Sequence, residues 1–460
     1  MGRRPLQLLC LAAAALVVSC TTLTVPLNLQ ARIDAVAAGG AVELGEGTWI
    51  GNIVITRPVT IRGAGREGTV ITGQRPIIVR SAGVIIENVT IRGAESAVRV
   101  ESPGNVVVRH VRMASPGTAL SVAAGGSARA EDSEVVCGEK APSGVHVDGA
   151  HLTGTDISVA GPCRRSIELT RAEADLSRTS VVGSREAGIH SVDSTLHLRT
   201  ASVTHIETGA AAFFEASSHV EVHDLKTFGG EDGVLLRSGD TNIDGLEVSG
   251  SGVSGYAAVK GTHVLTRAHF NGPFREAAMS VLNSASVKAK AIDVTHAGSA
   301  GLLAIHGHVD IDGMHVDGAR ADHDGDFGHS FMLQRSKGTL RALRATHADG
   351  AAIYASGIEA EATIDGCDAD EVATGATVVL NAHLDIKGLH VSNAPLGIMA
   401  NGEGSVAIRD SSIHAFVGVL ACQGSTVAEE LGVEIKADSR RRTCTDDALD
   451  LAWRSVLKAQ

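Results

Sequence analysis

Hydrophobic residues recur along this chain on two scales. At short range, runs of three to five residues rich in Val, Ile and Thr, such as Ile53-Val54-Ile55, Val59-Thr60-Ile61 and Val106-Val107-Val108, are broken by Gly, Asn, Asp or Ser. At long range, Val98, Leu120, Val145, Ile167 and Ile189 follow one another at 22, 25, 22 and 22 residues. The file continues through Ala212, Val234, Ala257, Met279, Gly301, Phe331, Ile353, Ala376 and Ile398, almost always 21 to 23 apart, with one gap of 30 between Gly301 and Phe331. A helical repeat would need longer segments with a 3.6-residue period, and none is present. Strands that recur once per coil pair in parallel with their copies about 4.8 Å away and stack their inward side chains. The pattern predicts an all-β fold: a right-handed single-stranded parallel β-helix of about 17 coils, with short helical caps at both ends.

The caps are needed because a solenoid otherwise ends in unpaired strand edges. Leu29, Ile33 and Val36 share one face of a short predicted helix before Gly39-Gly40. Leu449, Ala452, Trp453 and Val456 do the same in a helix predicted over 446–458, with Thr445-Asp446-Asp447 at its N-terminus. The first residues carry a different message. Arg3 and Arg4 precede an apolar stretch from Leu6 to Val18, the shape of an export signal and too short for a mature bilayer span. Val17-Val18-Ser19-Cys20 resembles the lipobox of bacterial lipoproteins, which implies cleavage before Cys20 and lipidation of its thiol. Thr21 stands where an inner-membrane retention signal commonly has Asp. The expected organisation is a signal peptide (1–19), a lipidated linker (20–28), the β-helix (29–425) and a C-terminal cap (426–460). The expected location is the bacterial envelope, as an outer-membrane lipoprotein facing the periplasm or the surface.

Composition narrows the partners. With 53 Gly, 2 Trp, 2 Tyr and aromatics at 3%, stacked small and β-branched side chains fill the interior. The net charge of −12 is spread along the chain and no Lys/Arg run tracks phosphates, so nucleic acid is not an expected partner. Cys137 and Cys163, and likewise Cys422 and Cys444, are about one coil apart, which makes each pair a disulfide candidate in an oxidising compartment. Cys367 is then left as a small buried hydrophobe.

The stretch from Ala31 to Gly73, reading ARIDAVAAGGAVELGEGTWIGNIVITRPVTIRGAGREGTVITG, resembles the opening of a pectin-lyase-like β-helix domain. The coils after it are similar to the repeats of the carbohydrate-binding and sugar-hydrolase class and of NosD-type periplasmic proteins. The resemblance implies a parallel β-helix and a polysaccharide or envelope component as partner. It carries over little chemistry, because fold does not imply function. Asn242-Ile243-Asp244-Gly245 only loosely matches the Asn-Thr-Asp of polygalacturonases, and His306-Gly307-His308 inverts their Gly-His-Gly. The pectate-lyase tryptophan-aspartate-histidine motif is absent.

Two features carry candidate chemistry. The irregular coil adds Ala321-Asp322-His323-Asp324-Gly325-Asp326-Phe327-Gly328-His329. Asp322, His323, Asp324, Asp326 and His329 could ligate a divalent cation, and Asp322, His323 and Asp324 could act as acid and base on a bound sugar; a solvated polar loop accounts for the same residues. Asp322-His323-Asp324 resembles the Asp-Pro-His-Asp of alginate epimerases, without the proline. The second feature is a recurrence of histidine at His296, His315, His347, His390 and His414. Stacked, these would form an imidazole column for borderline metals, with copper implied by the NosD-type similarity; unstacked, they are surface residues. Arg92, Arg99, Arg109 and Arg112 read as cross-coil ion-pair partners or as contacts to an acidic polysaccharide. Three functions follow: a lipid-anchored scaffold binding glycan or other envelope components without clear catalytic residues, a polysaccharide lyase, hydrolase or epimerase acting at loop 321–329, and a metal-binding envelope protein.

Overall fold

A computed structural model describes residues 28–321 and 328–444. The chain winds as a parallel β-solenoid of about 18 turns. Each turn contributes one strand to each of three faces. On the first face, Val59, Val84, Val106, Ala128 and Leu152 are register partners in successive coils. On the second, Ile91, Met113, Val135 and Val159 are. On the third, Ile53, Ile77, Val98, Leu120, Val145, Ile167 and Ile189 form one file.

This third file is the one read from the sequence, with two one-residue corrections. Val234 pairs with Tyr256 rather than Ala257, and Met279 pairs with Leu302 rather than Gly301. In both places neighbouring residues are apolar on either side, so alternation does not fix which one points inward. Gly301 is packed so closely that a Cβ there would lie 2.4 Å from Val316 Cγ2, which leaves Leu302 to fill the core. The file residues from Ile53 to Val419 are at most 1% exposed. At roughly 1.5–3 kcal/mol for each large aliphatic buried, this ladder is a main source of cohesion.

The breaks between runs also have a local cause. The corner from the first to the second face uses single residues in the left-handed region, among them Asn88 (φ 58°), His110 (φ 52°), Asp132 (φ 43°) and Asp156 (φ 55°). Asn, Asp and His tolerate this region better than β-branched residues do, so they punctuate the strands.

The helix α1, Leu29–Ala35, closes the first coil, with the Asn28 side chain accepting from Ala31 N–H and with Leu29 and Ile33 buried. Gln30 pairs with the open edge: Val54 N–H donates to its Oε1 (2.8 Å) and its Nε2 donates to Val54 C=O (3.3 Å). At the other end the parallel ladder continues beyond residue 425, through Thr426–Glu429 and Glu434–Thr443. There Val419 pairs with Arg441, the first charged residue in the third-face file. The helix expected over 446–458, the signal segment and Cys20 lie outside the described residues. The disulfides Cys137–Cys163 (Cα–Cα 5.6 Å) and Cys422–Cys444 (Cα–Cα 4.9 Å) each join adjacent coils, and Cys367 is free and buried.

Candidate functional site

Because side chains alternate along a strand, the residue after each inward position of the third face points outward. In successive coils this outward file reads Ser121, His146, Glu168, His190, Phe213, Leu235, Ala257, Ser280, Leu303, Met332 and Tyr354. From His146 to Tyr354 it runs about 43 Å at 4.8 Å per coil. Outward charges are paired coil to coil on all three faces, as in Arg109–Glu131 (2.6 Å), Arg112–Glu134 (3.5 Å) and, on the third, Arg80–Glu101 (2.8 Å); the file from Phe213 to Tyr354 carries no charged residue. Arg99 pairs with Glu101 (2.9 Å) on the third face itself.

The polar end of the file is a compact cluster. Glu168 accepts from Ser143 Oγ (2.8 Å) and Arg165 Nη1 (2.5 Å), and His146 Nδ1 lies 3.3 Å from its Oε2. Burial would raise the Glu168 pKa, but the bonds from His146, Ser143 and Arg165 outweigh it and hold the carboxyl at about 2. The same contact raises His146 above its ordinary value. In the next coil His190 is 2% exposed, and its Nε2–H donates to Glu215 Oε1 (3.0 Å). Burial, helped by Arg165, lowers its pKa, so the ring is neutral and its Nδ1, buried and without a partner, carries the lone pair. The ring leans on Phe213 (4.8 Å between centroids), whose face is covered by the Arg237 guanidinium (5.0 Å). Farther along, burial with Glu276 and Glu231 nearby raises Asp232 to about 6.

Local structure explains how the arginines reach this cluster. The Cys137–Cys163 bond ties together two successive coils where the second face turns into the third. Arg164 N–H donates to Ala141 C=O and Arg165 N–H to Pro142 C=O, which fixes the backbone from which Arg165 reaches Glu168 and Arg164 reaches Glu186 (3.5 Å).

The apolar end of the file is formed by Leu303, Met332 and Tyr354. His329 accepts from Ala351 N–H at Nδ1 (2.8 Å), and its ring stacks on Tyr354 (4.4 Å, 12° between planes). Burial pushes its pKa down to about 4, so it is neutral and only Nε2 remains for a ligand. Beside this stack, Ile305, Gln334, Arg335, Tyr354 and Ser356 line an open groove of about 1040 Å³.

Of the candidates read from the sequence, Asp322, His323, Asp324 and Asp326 lie outside the described residues, and His329 sits at the apolar end of the file. The five recurrent histidines do not form one column. His315 and His390 share a second-face file in which Arg344 and Asp368 stand between them. His296 and His347 are left-handed corner residues, and His414 pairs in register with Lys436. Their partners are mostly carboxylates or polar side chains: Asp293 takes His269 and His315 (2.9 and 3.0 Å), Asp317 takes His347 (2.7 Å), and His390 meets Ser412 Oγ (2.8 Å). Among the described residues, no three His, Cys, Asp or Glu side chains are grouped to hold a metal ion.

The His146–Glu168–His190–Phe213 file escaped the sequence reading, although its signal was present. Once Val145, Ile167, Ile189 and Ala212 are aligned as inward, the next residue in each coil is outward by alternation. Only their neighbours Arg165 and Glu215 needed the fold.

No protein-family model and no curated protein matches this chain. Solved structures similar to it include a pectin methylesterase in complex with a hexasaccharide (13% identity, 37% of this chain and 75% of the other covered, TM-score 0.27). Others are a PL6 family alginate lyase (10%, 90% and 99%, 0.24) and the A-module of a mannuronan C-5 epimerase from Azotobacter vinelandii (13%, 90% and 94%, 0.23). The chain is a parallel β-solenoid. That assignment stands on its own coil-to-coil register, and superpositions this distant carry nothing about substrate or activity.

Proposed function

We propose that the protein is a lipid-anchored envelope scaffold that holds a polysaccharide along the outward file of its third face. The observation that carries this reading is the file itself: a strip on one face, polar at His146–His190 and apolar or aromatic farther on, in which Phe213, Leu235 and Tyr354 are partly exposed while His190, Leu303 and Met332 are buried. Sugars present alternating C–H faces and hydroxyl edges, which such a strip can stack and hydrogen-bond.

The test is calorimetric titration of the full chain with oligosaccharide libraries, beside Phe213→Ala and Tyr354→Ala. Binding that weakens at least tenfold in both variants is expected; the absence of any oligosaccharide binding, or binding indifferent to both, would sink the reading. The anchor is tested separately by incorporation of labelled fatty acid, which Cys20→Ala should abolish.

His190 favours a second reading, a lyase, hydrolase or epimerase. A neutral imidazole oriented by a carboxylate, with a free lone pair, is the arrangement of a general base. Turnover of a bound glycan that disappears in His190→Gln while binding persists would favour the enzyme over the scaffold.

A further inference from the structure

On the second face the register partners His269, Asp293 and His315 alternate from coil to coil, so one carboxylate stands between two imidazoles. His269 Nδ1 lies 2.9 Å from Asp293 Oδ2, and His315 Nδ1 lies 3.0 Å from its Oδ1. The contacts continue without a break. His315 Nε2 lies 3.4 Å from Thr346 Oγ1, and the Thr346 hydroxyl donates to Asp317 Oδ1 (2.7 Å). His347 Nδ1 lies 2.7 Å from that same oxygen, and His347 Nε2 lies 3.2 Å from Glu371 Oε2. From His269 to Glu371 the run crosses five coils, about 19 Å, and spans the enlarged corner that follows Asp317. Counting protons fixes the state in which every one of these bonds can form. A carboxylate only accepts, a hydroxyl has one proton to give, and a neutral imidazole carries one N–H. Thr346 gives its proton to Asp317, so its oxygen must accept from His315 Nε2–H while His315 Nδ1–H donates to Asp293. His347 faces a carboxylate with each of its nitrogens. Both rings must therefore be imidazolium for the run to be complete.

We propose that this run is an acid-completed brace: mild acidification protonates His315 and His347, completes the hydrogen bonds from His269 to Glu371 and holds the five coils more firmly, while loss of one proton from each ring opens it at two links. Each pair is too exposed to count for much alone, and continuity along the network is what gives the brace its effect. The surrounding charges have partners of their own. Glu247, the register partner of His269, is paired with Lys226 (2.6 Å), and Arg267 with Asp244 (2.7 Å). His296 turns to Asn271 (3.3 Å), Arg344 is the register partner of His315, and Arg320, beside His347, holds Asp349 (2.9 Å). Asp370, next to Glu371, accepts from Ser392 (2.6 Å) and Asn393 (2.8 Å). The bond between Asp317 and His347 raises His347 above its ordinary 6.5 and lowers Asp317 below its ordinary 3.8. The His347 contribution is complete below 6.5 and is lost as pH rises through the elevated folded value; that of Asp317 is complete above 3.8 and is lost as pH falls through the depressed one. The brace therefore acts between pH 3.8 and 6.5 and weakens on either side.

The experiment measures native-state hydrogen exchange of the full chain at the inward residues Val294, Val316 and Ala345, corrected for intrinsic rates, at pH 7.5 and 5.5. Nitrogen NMR of the imidazole rings counts the protons on His315 and His347 in the same samples. Variants are Thr346→Val, which removes the central link, Glu371→Gln, which removes the terminal carboxylate, and His110→Gln, which breaks a remote pair with Asp132 and serves as the control. The expected result is that protection in the wild type, taken relative to Thr346→Val, is larger at pH 5.5 than at 7.5 by about threefold or more. Both nitrogens of His315 and of His347 should carry protons at pH 5.5. Glu371→Gln should show a smaller gain and a lower His347 pKa, and His110→Gln should keep the wild-type gain. Taking the ratio to Thr346→Val removes any pH effect that arises elsewhere in the chain. A ratio that is the same at both pH values, or rings that hold a single proton at pH 5.5, overturns the brace. Should Thr346→Val not fold, Glu371→Gln carries the test at a side chain that is 57% exposed, and protection there equal to the wild type at pH 5.5 overturns it as well.

Discussion

Replacing Glu168 by Gln keeps the shape of the side chain and removes its charge, which makes it the sharpest probe of the polar cluster. The carboxyl is held at about 2 against an ordinary 4.5, with its side chain 13% exposed. At 1.36 kcal/mol per pKa unit the interaction of its ionised form is worth about 3 kcal/mol, and solvent screening brings the expected cost of the variant to about 1.5–3 kcal/mol. The pH dependence has a definite sign. Because the folded pKa is depressed, the contribution is complete above pH 4.5 and is lost as pH falls towards 2. His146 behaves oppositely: its pKa is raised chiefly by Glu168, so its contribution is complete below 6.5 and is lost as pH rises through the elevated folded value. A solenoid of many coils need not unfold in one step, so the suitable assay is native-state hydrogen exchange of the Val145, Ile167 and Ile189 amides with pH, together with NMR titration of His146. In Glu168→Gln these amides should exchange faster by a factor of about ten or more at pH 7, and the His146 pKa should fall. Unchanged exchange with an unchanged His146 titration would refute the account of this cluster.

His263 points into the core, bonded to Thr241 Oγ1 (3.0 Å) and Lys260 C=O (2.6 Å), and burial lowers its pKa. Stability should therefore decline as pH falls below 6.5, and a Thr241→Val/His263→Leu pair should flatten that decline in Tm measured from pH 7.5 to about 5. The Cys137–Cys163 bond closes a separation of 26 residues, so its reduction should cost about 3.5 kcal/mol by chain entropy and lower the Tm in dithiothreitol; an identical melt with and without reductant would contradict this. Phe331 is fully buried in the third-face file, and Phe331→Ala should cost about 3–5 kcal/mol, read by thermal melting; a loss under 1 kcal/mol would mean that the coil at the long corner collapses onto the cavity.

The periodic file from Val98 to Ile398, the polar corner residues and the one-coil cysteine spacings were legible because each is local and repeats. A strand buries every second residue, a corner needs a residue that accepts positive φ, and the period sets which residues meet across coils. The two register slips occurred where alternation falls silent, at Tyr256-Ala257-Ala258 and Gly301-Leu302-Leu303. The histidine column failed for a related reason. Similar spacing in sequence put His296 and His347 on a corner and His315 and His390 on a strand, and only the coil path separates the two.

The sequence by itself determined that this chain coils into parallel β rungs and which side chains fill the interior, because burial is enforced at every coil by the same short pattern. Only the tertiary structure decided which outward residues became a site. Arg165 and Glu215 come from a corner and a strand end of different coils, and no short-range pattern records that they meet Glu168 and His190. Their chemistry follows from what surrounds them: Glu168 is ionised because His146, Ser143 and Arg165 hold its carboxylate against the effect of burial, and His190 is neutral chiefly because it is buried.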